Sequence, residues 1–151
     1  MNTRTLTRSA LAVLGVAGLT ASMSACSLLG GSVASAEVGA CVDTTSMGTD
    51  EITEIPTVDC SEEHDVQVFH KFDMPDGDYP GADGVEAAAR EDCIAEFDAF
   101  VGAAYEDSAL DINYIGPSEQ SWNDANDREI LCLLFAMDGS TATESWEGSG
   151  I

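Results

Sequence analysis

Positive charge is nearly missing from this sequence of 151 residues: five Lys and Arg face 28 Asp and Glu, a formal net charge of −23. Without clustered cations to neutralise phosphates, nucleic acid is excluded as a partner. Anionic lipid headgroups repel such a surface as well, so membrane contact through the protein surface is disfavoured. No apolar run suits a bilayer span. The run Ala10–Leu19 is about half of the roughly 20 residues that a spanning helix needs. No Ser sits in a Gly-x-Ser-x-Gly frame, which removes the serine-hydrolase elbow. The tight Cys-x-x-Cys pairs of strong zinc sites are missing too. No internal repeat is present.

What the chain does have begins at its amino end. Arg4 and Arg8 precede the apolar run, and small residues follow, ending in Met23-Ser24-Ala25-Cys26. A basic start, a short apolar core and small residues at a cleavage point describe an export signal. The cysteine directly after it resembles the lipobox of bacterial lipoproteins, with Met23 in place of the usual leucine. Cleavage before Cys26 leaves 126 residues with three cations (Lys71, Arg90, Arg128) against 28 acids, a formal charge of −25. Cys26 is then the lipidation site, carrying diacylglycerol and acyl chains such as palmitate. One acyl chain holds a protein to a membrane marginally, whereas two hold it stably. The alternative is an ordinary secretory signal with a chance cysteine. The expected address is the outer face of the plasma membrane, with the lipid as the membrane contact.

Four cysteines remain: Cys41, Cys60, Cys93 and Cys132. An even number outside the cytoplasm implies two disulfides, with three possible pairings that sequence alone does not resolve. Local economy favours Cys41–Cys60 and Cys93–Cys132, each worth about 2–4 kcal/mol. A domain this small and self-repelling has reason to use such staples.

Hydrophobic periodicity outlines the elements. Residues 26–37 are small and polar and are expected to be a flexible tether. From Asp65 to Met74 the chain alternates, with Val66, Val68, His70, Phe72 and Met74 on one parity and Phe69 as the exception. Alternation predicts a half-buried strand, ended by Pro75-Asp76-Gly77-Asp78. Asp83 is expected to cap a helix with Glu86 three residues on. Val85, Ala88, Ala89, Cys93, Ile94, Phe97, Phe100 and Val101 then follow helical spacing, with Gly102 as the stop. Leu110, Ile112 and Tyr114 predict a second strand. Ser118 can cap a short turn carrying Trp122, and the apolar run Glu129–Met137 predicts a central strand containing Cys132. The polar stretch 139–151, with Trp146 as its one large apolar residue, is expected to be a disordered tail. The domain plan is therefore a signal peptide over 1–25, a tether over 26–37, a folded unit over 38–138 and a tail over 139–151. The expected fold class is α+β, a small antiparallel sheet packed against one main helix and held by two disulfides.

Three stretches together resemble the septum-formation domain family of actinobacterial exported proteins. They are Val38-Gly39-Ala40-Cys41-Val42, the run Val58-Asp59-Cys60 through His64 to Phe69, and Pro117-Ser118 followed by Trp122 and Asp127-Arg128-Glu129-Ile130-Leu131-Cys132. The resemblance covers about residues 38–137. One departure is Asn126, where glycine is expected before the Asp-Arg pair, although Asn tolerates the left-handed turn. The resemblance implies a link to division or the envelope and brings no catalytic mechanism.

The chemical constellations each have a structural counterpart. Cys60 and His64 invite a zinc reading, but an oxidising compartment favours disulfides, leaving His64 to bond the turn beside one. Paired cysteines also leave no nucleophilic thiol. Asp73, Asp76, Asp78 and Asp83 cluster near Gly77 and Gly81, yet their spacing is not that of an EF-hand and reads as a solvated acidic turn. Arg128 is expected to hold a carboxylate or carbonyl and to pack on Trp122. The alternative makes Trp122 an exposed binding residue. No catalytic residue, metal or cofactor is assigned. The expected function is a non-catalytic, lipid-anchored envelope protein that binds or scaffolds an unknown envelope protein or polymer. An extracytoplasmic ligand-binding or sensor module is the first alternative, and a secreted envelope-polymer hydrolase the second.

Overall fold

A computed structural model describes residues 34–46 and 55–151 of the chain. The signal segment and Cys26 lie outside the described residues. Strands β1 (Cys41–Val42), β2 (Thr57–Val58) and β3 (Val66–Asp73) precede helix α1 (Ala82–Val101). Strand β4 (Leu110–Ile115), helix α2 (Glu119–Asp124) and strand β5 (Glu129–Ala136) follow. The five strands form one sheet in the order β2-β1-β3-β5-β4, antiparallel throughout. The expected α+β class, with a small sheet against one main helix, is what the chain adopts. Both disulfides pair as local economy favours: Cys41–Cys60 and Cys93–Cys132, with Cα atoms 5.3 and 5.6 Å apart.

Two cores sandwich the sheet. On one face α1 buries Val85, Ala89, Cys93, Phe97 and Val101 against Phe69, Leu110, Ile130, Cys132 and Leu134. On the other, Val42, Ile55, Val68 and Leu131 pack with Ala34 and Ala36. Strand β5 feeds both faces, which is why its sequence is nearly continuously apolar instead of alternating. Phe69 breaks the alternation of β3 because the pairing with β5 shifts between Val68 and His70. A bulge inserts one residue and reverses which parity faces α1. Val66 and Val68 therefore join the far core, whereas Phe69, Phe72 and Met74 join the helix core.

Three expectations need correction. Helix α1 starts at Ala82 behind Gly81 (φ 83°), with no side-chain cap. Asp83 lies inside the first turn, where its carboxylate faces the positive end of the helix dipole. The tether ends earlier than expected, because Ala34 and Ala36 are buried on the sheet and Lys71 Nζ donates to Ala36 O at 3.3 Å. Small apolar side chains two apart fit an extended segment laid on that face. Residues 139–151, expected as a disordered tail, instead form an ordered strap. Ala142 exchanges backbone hydrogen bonds with His64 at 2.8 and 2.9 Å, and the Gly148 and Gly150 amides donate to Phe100 O and Val101 O, each at 2.8 Å. The strap thus satisfies carbonyls that the end of α1 leaves without helical partners. Trp146, 5% exposed, closes that end of the core.

Candidate functional site

His64 and the Trp122–Arg128 pair lie at opposite ends of β3 and do not form one site. His64 stands just before the strand and is 1% exposed. Its Nδ1 lies 2.9 Å from Glu62 O, and its ring meets the Trp146 ring edge-on, with centroids 5.5 Å apart. A short Nδ1 contact to a carbonyl requires a donated proton there. Nε2 is buried without a partner. Next to it is Gln67, fully buried, which the sequence pattern placed on the solvent parity. Its amide donates to Gly39 O at 3.0 Å and Ser145 Oγ at 2.8 Å, and its Oε1 accepts from Trp146 N at 2.7 Å. Gln67 therefore ties the strap to the segment before β1. Sequence offered no sign of this, since one Gln on a strand looks solvated. Trp146 did carry a signal, as a large apolar residue in an otherwise small and polar stretch.

At the other end, Ser118 caps α2 and forms a reciprocal capping box with Ser121, which fixes where the helix presents Trp122. That indole is 3% exposed. It donates Nε1–H to Gly77 O at 2.9 Å and meets Tyr79 edge-on at 5.7 Å. Burial removes the reading of Trp122 as an exposed binding residue. Asn126 has φ 54°, the left-handed turn that glycine supplies elsewhere. The turn returns Arg128 over the indole, with Cζ 3.7 Å from the ring centroid. Arg128 Nη1 donates to Trp122 O at 3.0 Å and Asp127 O at 2.8 Å. Its Nε lies 3.5 Å from Asp76 Oδ1, close enough for charge attraction but not aligned as a hydrogen bond. One guanidinium thus pins the turn after β3, helix α2 and the start of β5. Beside it runs an open groove of about 620 Å³ bordered by Asp73, Asp76, Asp127, Arg128 and Glu129.

A smaller cleft of about 170 Å³ lies between α1 and β4. Ala89, Cys93, Ile112 and Tyr114 line it, with Glu86 and Arg90. Burial pushes the Tyr114 phenol above its ordinary pKa, and the charge on Glu86 adds to this. Tyr105 is also raised, first because it donates to Asp111 and then through burial; the O–O distance is 2.5 Å. All four cysteines of the domain are in disulfides, so Cys60 is not a ligand beside His64. Among the described residues, no group of three or more His, Cys, Asp or Glu side chains is placed to hold a metal ion. The acidic turn of Asp73, Asp76, Asp78 and Asp83 is included in that statement.

The chain belongs to the septum formation family, whose model matches residues 34–149. The match takes in both the alanines packed behind the sheet and most of the strap. No curated protein and no solved structure matches the chain.

Proposed function

We infer that this member of the septum formation family is a non-catalytic, lipid-anchored envelope protein that binds or scaffolds other envelope components at the division septum. The observation that carries this reading is the family match over 34–149. Supporting it, the residues that looked chemically promising are committed to structure. His64 and Gln67 hold the strap, Arg128 and Trp122 pin a turn, and the thiols are paired. The lipobox-like Met23–Cys26 supports anchoring through Cys26 on the outer face of the plasma membrane. The acidic surface itself is repelled by anionic headgroups, so the attachment is assigned to the lipid.

Two measurements test this. Intact mass of protein extracted from membranes should show a chain beginning at a diacylated Cys26. Release of the wild type into the medium, or an unmodified chain with another start, refutes the anchor. In its native host, a fluorescent fusion should gather at division sites, and depletion should misplace or delay septa. Uniform distribution together with normal division overturns the septal role. A ligand-binding or sensor role is the second reading, favoured by the cleft of mixed polar and apolar lining between α1 and β4.

A further inference from the structure

Strand β4 is an edge of the sheet, and its outward amides are occupied in an unusual way. Leu110 N donates to Ser108 Oγ at 3.0 Å, Ile112 N to Asp111 Oδ1 at 2.8 Å, and Tyr114 N to Asn113 Oδ1 at 2.8 Å. In an antiparallel ladder the amide and carbonyl of one residue point to the same side, and the sides alternate along the strand. Residues 110, 112 and 114 therefore present their backbone groups away from β5. All three amides rest on side-chain oxygens from the strand itself or just before it. An edge strand with free backbone groups is a template for another strand. Here the template is held shut by acceptors that a partner's carbonyls can replace one for one.

The cleft of about 170 Å³ lies directly beside this edge, between β4 and α1. Its volume suits a single side chain, close to the roughly 150 Å³ cavity that holds one benzene molecule. Ala89, Ile112 and the buried Cys93 give it apolar surface, beside the polar groups of Glu86, Arg90, Asn113 and Tyr114. A strand laid on β4 turns alternate side chains to the α1 face, where one of them meets this cleft. The charge of the neighbourhood selects the partner. Glu86 and Arg90 both stand at the cleft and offset each other, but Glu106 and Asp107 precede the strand and Asp111 lies on it, so acids outnumber the one cation beside this edge, in a chain of formal charge −23.

We propose that the outer edge of β4 is a strand-addition site for an extended, positively charged polypeptide segment that seats one apolar side chain between α1 and β4. The segment's carbonyls displace the Asp111 and Asn113 side chains from the Ile112 and Tyr114 amides. The Asp111 carboxylate, still held by the Tyr105 hydroxyl, then faces the cations of the bound segment. Backbone pairing supplies affinity and the cleft supplies register, as in other cases where a peptide adds to an exposed sheet edge. This names the surface for the binding role inferred above and rests on that reading, but the two fail separately. Septal localisation is read in cells, and strand addition is read in solution.

The test uses the ¹⁵N-labelled full chain in detergent micelles and a synthetic decapeptide of alternating Lys and Val. Saturating peptide should shift the Ile112 and Tyr114 amide resonances and slow their hydrogen exchange about tenfold. Alternating Glu–Val should not bind. Alternating Lys–Pro, with equal charge but no backbone donor at the residues that turn to the cleft, should bind at least about tenfold more weakly. Ile112→Pro removes one outward amide and should weaken binding about tenfold. Asn113→Ala changes an exposed side chain and uncovers the Tyr114 amide, so it should tighten binding by about threefold or more. Unmoved Ile112 and Tyr114 resonances, equal affinity for Lys–Pro, or unchanged affinity in Asn113→Ala each overturn the proposal.

Discussion

Arg128 shows how burial decides which of several contacts matters. Its side chain is 12% exposed, whereas its carboxylate partner Asp76 is 89% exposed. A pair with one partner in water contributes about 0–1 kcal/mol. The stack on Trp122 is shielded and specific to a planar guanidinium, and it places Nη1 where it donates to two carbonyls. Arg128→Ala is therefore expected to cost about 1–3 kcal/mol, with Arg128→Lys nearly as damaging and Asp76→Ala below about 1 kcal/mol. Denaturant unfolding of the three variants checks the ranking, and a harmless Arg128→Lys refutes the stack. Gln67 is a second test at this scale. Gln67→Leu keeps approximate volume but strands the Trp146 amide and the Gly39 carbonyl in a dry site, at about 1–3 kcal/mol for each group left unpaired. Hydrogen exchange should then quicken in the strap around Trp146 before it quickens in β5. Tyr105 gives the pH dependence. Its pKa is raised above 10.0, first by donation to Asp111, so the neutral phenol is the form that folding favours. Its contribution is whole below the unfolded value of about 10 and disappears as pH rises through the folded value. Alkaline unfolding should flatten in Tyr105→Phe, and absorbance titration of the wild type should show tyrosines ionising late. A titration in which every tyrosine ionises at its ordinary value contradicts this.

The elements show where sequence reasoning reached and where it stopped. Helix α1 was legible because Val85, Ala89, Cys93, Phe97 and Val101 recur at helical spacing and all five are buried. Strand β5 was legible from its unbroken apolar run, whereas chain economy favoured the disulfide pairing that forms without excluding the other two. Phe69 was visible as an anomaly, but its cause was not. A bulge is a property of pairing with β5, and periodicity within one strand cannot register it. The strap stayed hidden for a similar reason. Its backbone donors go to His64, Phe100 and Val101, all far away in sequence, so its composition of Gly, Ser and Thr looked like a solvated tail. The Trp122–Arg128 pairing was readable from scarcity of cations, whereas the capped edge of β4 was not, because Asp111 and Asn113 look like ordinary solvent-side residues. Gly116 records a packing demand at this scale. A Cβ built there would come within 2.8 Å of Val85 Cγ1, where the end of β4 passes under the first turns of α1. Val85 is buried and has no room to retreat. Gly116→Ala should accordingly cost about 1–3 kcal/mol through overpacking. A double-mutant cycle with Val85→Ala checks this: Gly116→Ala should cost less in the Val85→Ala background than in the wild type if the clash is the cause, and the same in both if it is not.

For the whole molecule, the dominant fact is self-repulsion opposed by covalent staples. A formal charge of −23 acts against the compact state. Among the described residues, three ion pairs oppose it, two of Lys71 and one of Arg128. Repulsion thus outweighs attraction, and screening it should stabilise the fold. Melting temperature is expected to rise as ionic strength goes from about 0.01 to 0.15 M, over which the Debye length falls from about 30 to 8 Å. The disulfides supply what the charge removes. At about 2–4 kcal/mol each, the pair represents a large part of the 5–15 kcal/mol typical of a domain. Their positions differ more than their loop lengths. Sequence separations of 39 and 19 residues change the closure entropy by only about 0.6 kcal/mol, because the dependence is logarithmic. Cys93–Cys132, however, joins α1 to β5 inside the main core, where both residues are at most 1% exposed. Cys60 is in a turn outside the core, so loss of Cys41–Cys60 chiefly loosens the first two strands. Replacing Cys93 and Cys132 together by Ala should therefore lower the melting temperature further than replacing Cys41 and Cys60. The difference should widen at low salt, where repulsion between α1 carboxylates and the rest of the chain is least screened. Melting curves of both double variants at two ionic strengths decide the matter. Equal losses, or a smaller loss for the Cys93 and Cys132 variant, would show that burial of the cross-link does not govern its contribution here.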